Sequence, residues 1–281
     1  MKIIKYISLF LAVTLIVSCE ENEIEYKGAT TAPDDVAEFQ LHYVVPVNGV
    51  SSNYIYKVEV NDALYSNNTA PLSTYSAVPD GAVGRFFTVT QGNVNIKLYK
   101  GTDAALVYNQ NITLNKGKQN VFVYDFNKQP IVFENGYPYE SSSTTLTGDS
   151  ICFVKFYNFL HESDGVPCPL KLQYQYLDTR TNAYVNMGSP VSFGETTGWQ
   201  PVKIVKSVVI SGGYNKMTYK IVVINNDGSV AGDLQLLNSS NKYVSYSDNT
   251  KTEYIGRRYH HTLAGIRTAT PVASVREFTA L

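Results

Sequence analysis

The chain is poor in the residues that staple or arm a protein. Three cysteines, Cys19, Cys152 and Cys168, stand in 281 residues, too few for a disulfide framework and without the paired C-x-x-C spacing that holds zinc. Four histidines, His42, His161, His260 and His261, leave few ways to build a histidine-based triad or metal centre. G-x-S-x-G, H-E-x-x-H and G-x-x-x-x-G-K are all absent, which excludes the common hydrolase, metalloprotease and phosphate-cradling signatures. Asp34, Asp35, Asp62 and Asp227 lack the spacing of a calcium loop. Neither sign of charge is in excess, with 23 basic and 24 acidic residues, so there is no electrostatic footprint for nucleic acid. No catalytic residue, cofactor, metal or nucleic-acid partner is expected.

Long hydrophobic runs are also missing, with one informative exception at the start. Lys2 and Lys5 precede an uncharged run of eleven residues, Ile7 to Val17, followed by Ser18 and Cys19. The run is too short to span a bilayer, and the acidic EENEIE after it is not the basic flank of a stop-transfer segment. It reads as an export signal. Ile16-Val17-Ser18-Cys19 resembles a bacterial lipobox, which implies cleavage between Ser18 and Cys19 and attachment of the membrane through lipid on Cys19. Loss of Lys2 and Lys5 with residues 1–18 takes the formal charge from −1 to −3.

Residues 19–36 are acidic, small and proline-punctuated, a tether. Glu20, Glu21, Glu23 and Glu25 resemble the surface-export signal of Bacteroidota lipoproteins, which implies an outer-membrane protein displayed at the cell surface, with a periplasmic location as the alternative.

The body is rich in tyrosine (22) and phenylalanine (12), residue types that suit pleated, half-buried surfaces. From Phe39 the alternation has period two: Phe39, Leu41, Tyr43 and Val45 face one way, and Gln40 and His42 the other. His42 is thus expected to face solvent. YIYKVEVND and GRFFTVTQG repeat the pattern, and VNIKLYKGTDAALVYNQNITL reads as a hairpin turning at residues 100–103 with Val94, Ile96 and Leu98 inward. The polar stretch around residues 136–149 is the domain boundary. Beyond it ICFVKFYNF, LKLQYQYL, VKIVKSVVIS, KMTYKIVVI and VAGDLQLL are strands, the last two joined at Asp227-Gly228. Strand, turn and loop spacing in residues 94–125 and 217–248 suggests a weak internal duplication. The expected class is all-β, with sandwiches at 37–135 and 150–281.

FVKFYNF and LKLQYQY are expected to pair antiparallel across the ESDGVPCP loop, which would hold Cys152 and Cys168 too far apart for a bridge. A disulfide requires that the two strands not be neighbours; a buried thiol at Cys152, on the face of Val154 and Phe156, is the simpler reading. His260 and His261 should point to opposite faces of one strand, a strand-end pair beside Arg257 and Arg258.

Aromatic surface supplies the remaining candidates for contact with a glycan or protein ligand. Tyr174 and Tyr176 share a strand face, where they either stack on sugars or pack in a core, and Trp199 is expected in a loop, either touching ligand or plugging the second sandwich. Asp149-Ser150-Ile151 resembles the O-glycosylation sequon of exported Bacteroidota proteins, with Ser150 as the acceptor.

AEFQLHYVV and ICFVKFYNF, opening the two repeats, together with the lipobox and acidic tether, resemble the tandem immunoglobulin-like surface lipoproteins of Bacteroidota, a family of domains of unknown function. Val154-Lys155-Phe156-Tyr157-Asn158 is similar to the V-R-F-x-N opening of those domains, whereas Leu41-His42-Tyr43-Val44-Val45 departs from it. The resemblance implies two tandem immunoglobulin-like antiparallel β-sandwiches and a non-catalytic binding or adhesion role. The alternatives are a glycan-binding accessory lipoprotein of an outer-membrane uptake system and a fimbria-like subunit cleaved after Arg257-Arg258.

Overall fold

Alternating apolar and polar residues bounded by glycine, asparagine and proline fold here as strands. A computed structural model describes residues 35–80, 84–135, 149–205 and 214–280; Ser18, Cys19 and residues 136–148 lie outside them, as does the side chain of Ser150. The first half holds β1 (Val36–Tyr43), β2 (Ile55–Val60), β3 (Ala63–Ser66), β4 (Ser76–Val78), β5 (Phe87–Thr90), β6 (Gly92–Lys100), β7 (Ala105–Leu114), β8 (Gly117–Val123) and β9 (Ile131–Glu134). The second holds β10 (Asp149–Ser163), β11 (Val166–Pro167), β12 (Lys171–Asp178), β13 (Ala183–Asn186), β14 (Thr196–Val205), β15 (Tyr214–Ile224) and β16 (Val230–Asp233). It continues through β17 (Gln235–Leu237), β18 (Tyr243–Ser245), β19 (Thr250–Tyr254), β20 (Arg258–Ile266) and β21 (Ser274–Thr279).

Each half stacks two sheets. In the first, β4-β1-β8-β9 with β5 on β1 faces β3-β2-β6-β7 over a core that includes Phe39, Leu41, Tyr43, Ile55, Val94, Ile96, Leu98 and Val121. In the second, β11-β10-β20-β21 with β14 on β10 faces β13-β12-β15-β16 with β19 on β15 over Val154, Phe156, Tyr174, Tyr219, Ile221 and Leu263. The expected hairpin β6–β7 forms, with Val94, Ile96 and Leu98 fully buried. The β15–β16 hairpin closes where Gly228 takes φ +86° and donates its N–H to Asn225 O at 3.0 Å, a conformation in which glycine meets no Cβ penalty.

Two expectations about pairing are corrected. The sheets are not wholly antiparallel: β1 runs parallel to β8 from Ala37↔Gly117 to Tyr43↔Val123, and β10 parallel to β20 from Phe153↔Arg258 to His161↔Ile266. Parallel neighbours need a crossover, and in each half the strands of the facing sheet supply it. Nor are β10 and β12 neighbours; they lie in opposite sheets. Cys152 and Cys168 are nevertheless free thiols, both buried, Cys152 in the core with Val154 and Phe156 and Cys168 Sγ 3.3 Å from Glu162 Oε2.

The duplication is plainer in topology than in sequence. β1, β8 and β9 have counterparts in β10, β20 and β21, and β3-β2-β6-β7 in β13-β12-β15-β16. β6 and β7 correspond to β15 and β16 in both sequence spacing and topology, whereas β8, level in spacing with the stretch around β18, has β20 as its topological counterpart.

The outer faces of β1–β8 and β10–β20 meet, and this corrects the expectation for His42. Gln40 and His42 do point away from Phe39 and Leu41, but both are wholly buried: Gln40 reaches the Pro79 and Arg85 carbonyls of its own half, and the second half covers His42, whose ring lies 5.0 Å from that of Phe278. Phe122 stacks on His42 with ring centroids 4.3 Å apart and on Phe159 at 4.8 Å, and Tyr157, Val44 and Ala264 complete the joint. Several of its polar groups are paired: His42 Nε2 lies 3.1 Å from Asn120 Oδ1, Asn120 Nδ2 donates to Asn135 Oδ1 at 3.0 Å, and Lys155 Nζ donates to Glu134 O at 2.7 Å, while His42 Nδ1 and His260 Nε2 have no partner among the described residues.

Candidate functional site

The aromatic candidates fall inside the molecule. On β12 the period-two alternation sends Leu172, Tyr174 and Tyr176 inward, and Tyr174 is 0% and Tyr176 4% exposed. Neither presents a ring to a ligand. Trp199 is on strand β14 opposite Lys155, not in a loop; half-buried, it donates Nε1–H to Asn135 O at 2.5 Å and lies 5.0 Å from the His260 ring. It pins the joint between the halves. His260 and His261 point to opposite faces as expected, but mid-strand and fully buried rather than at a strand end. His260 meets Tyr157 Oη at 3.0 Å in the joint, and His261 meets Tyr174 Oη at 2.6 Å in the second core.

The same alternation that buries the tyrosines turns Lys171, Gln173 and Gln175 to the outer face of β12, a signal available in the LKLQYQYL pattern. Cross-strand partners extend this face: Gln175 is opposite Asn186 on β13 and Lys220 on β15. Lys171, Gln173, Gln175 and Asn186 line, with Ile224, Asn225 and Val230, an open groove of about 530 Å³. Gln175 Nε2 donates to Asn186 Oδ1 at 2.6 Å, so that pair of amides is oriented before any ligand arrives, whereas Gln173, 3% exposed, donates to the Tyr174 and Gly188 carbonyls at 3.1 Å and serves as the floor. Beside them Tyr184 is 40% exposed, with Lys220 Nζ 4.4 Å from its ring centroid. Carboxamides that both donate and accept, flanked by an exposed ring and aliphatic carbon, match polyhydroxylated ligands.

A second constellation sits at the edge of the second core. His261 on β20 and Glu277 on β21 are direct cross-strand partners, and Glu253 reaches them from β19 on the facing sheet. His261 Nε2 is 2.9 Å from Glu253 Oε1 and 4.0 Å from Glu277 Oε2. Burial pushes the Glu253 carboxyl up to about 8; burial, then the neighbouring Glu253, push Glu277 up to about 7; burial holds the His261 imidazole down to about 4. Sequence reasoning missed this set because its members are 8 and 16 residues from His261 and no local motif joins them.

Neither a scan of protein-family models nor a search of curated proteins finds a match. Among solved structures, the chain is similar to a Bacteroides ovatus protein provisionally described as an adhesin, at 9% identity over 86% of this chain and 95% of that one, with a TM-score of 0.17.

Proposed function

We propose that this chain is a non-catalytic binding protein, held at the outer membrane by lipid on Cys19 and displayed at the cell surface, whose ligand is a glycan received in the groove of β12, β13, β15 and β16. The observation that carries the reading is the oriented amide pair of Gln175 and Asn186 in the groove, beside exposed Tyr184. The lipobox, the acidic tether of residues 19–36 and the two similar sheet pairs support it; residues 37–135 and 150–281 are read as immunoglobulin-like domains, and Ser150 as an O-glycan acceptor. A fimbria-like role is disfavoured, because cleavage after Arg257-Arg258 would release β20, which lies between β10 and β21 in its sheet. Retardation of the mature protein on polysaccharide gels tests the proposal. Gln175→Ala should abolish retardation on whichever polysaccharide slows the wild type; equal retardation of both would remove the groove from the account.

A further inference from the structure

We propose that Glu253, His261 and Glu277 form a binding site for a borderline divalent cation of the zinc class. The three donors converge from β19, β20 and β21, and their ligand atoms all lie within 4.8 Å of one another. Bonds of about 2.0–2.2 Å to a shared ion would bring donor atoms to roughly 3–4 Å separations, so the observed 2.9 and 4.0 Å already fall in or beside that range.

The independent sign of a missing partner is Glu253 itself. Its side chain is fully buried, and neither carboxylate oxygen has a hydrogen-bond partner; nor does His261 Nε2, despite its 2.9 Å approach. A carboxyl group stripped of water with no hydrogen-bond partner is expensive whether or not it is ionised. Lys251, the nearest base on the same strand face, directs Nζ to Asp248 Oδ2 at 3.0 Å instead.

Tyr174 Oη, 2.6 Å from His261 Nδ1, is placed to accept the Nδ1 proton and leave the Nε2 lone pair free for metal, the outer-shell arrangement that orients a ligating imidazole. Glu277, 28% exposed at its side chain, gives an ion a way in from solvent. One imidazole with two carboxylates favours zinc-class ions over magnesium or calcium, which prefer all-oxygen shells. An ion here would tie β19 of one sheet to β20 and β21 of the other.

The test is calorimetric titration of chelator-treated mature chain with zinc chloride, and with magnesium and calcium chloride as controls. One equivalent of zinc should bind and neither control should. Glu253→Gln, close in shape but unable to supply an anionic oxygen, should weaken zinc binding about 100-fold or more, with circular dichroism confirming the fold; Tyr174→Phe should weaken it about 10-fold. If Glu253→Gln does not fold, Glu277→Gln at the solvent rim replaces it, with the same expected loss. Absence of stoichiometric zinc binding, or binding that the folded glutamine variant leaves unchanged, overturns the proposal.

Discussion

Phe122→Ala should uncouple the two halves of the body. Phe122 is fully buried, and its ring touches both sides of the joint, lying 4.3 Å from His42 and 5.7 Å from Phe133 on its own side and 4.8 Å from both Tyr157 and Phe159 across it. Its neighbours Val121 and Val123 face the first core instead, so truncation opens a hole in the joint while leaving that core packed. Removing a buried phenylalanine costs about 3–5 kcal/mol, and losing several aromatic pairs at about 0.5–1.5 kcal/mol each places the loss near the top of that range. The single tryptophan, Trp199, reports on the joint because it bonds Asn135 O from β14; far-ultraviolet circular dichroism reports on both sheet pairs. In urea the wild type should show coincident transitions by both probes. In Phe122→Ala the fluorescence transition should move to lower urea ahead of the dichroism transition. Coincident transitions in the variant with a loss under about 1 kcal/mol would refute the joint as the coupling element.

Three further outcomes are expected. Burial holds the His42 imidazole down to about 4, so it stays neutral in the fold while the unfolded chain protonates below about 6.5; stability is present above that pH and falls as pH drops toward 4, by about 2 kcal/mol at pH 5 relative to pH 7. Glu253, raised to about 8, has the opposite slope, its contribution being complete below about 4.5 and lost as pH rises through 8, so urea midpoints of wild type and His42→Gln at both pH values isolate the histidine part. Gly265→Ala would set a Cβ 2.5 Å from Ala273 Cα and 2.8 Å from Ala273 N at φ +126°; backbone strain and overpacking together should lower stability by about 2–5 kcal/mol, read as a reduced urea midpoint at unchanged slope. Cys19→Ala should move the protein from the membrane to the soluble fraction, since lipid contributes about 0.8 kcal/mol per buried CH₂; unchanged retention in membranes would remove the lipid anchor.

Strand class and many strand positions were legible because period-two alternation is local: Val94, Ile96 and Leu98, or Tyr174 against Gln173 and Gln175, sort themselves to two faces without reference to the rest of the chain. What alternation cannot say is what covers a face. Alternation places His42 opposite Phe39 and Leu41 correctly, but the second half buries the part of β1 that it occupies. The tyrosines of β12 turn into the core and Trp199 sits half-buried against the joint for the same reason: large amphipathic rings satisfy a joint or a core as readily as a binding surface. The Glu253, His261 and Glu277 cluster was invisible because it is made by β15–β19 and β20–β21 pairing and by sheet stacking, long-range events that leave no spacing signature.

Surface proteolysis of intact cells, with a blot for the full-length chain before and after the envelope is opened, tests the central claim most directly. A displayed, lipid-held binding protein should be lost from intact cells without lysis, and Cys19→Ala should appear in the soluble fraction. Protection of the wild type until the envelope is opened would place the body in the periplasm and contradict surface display.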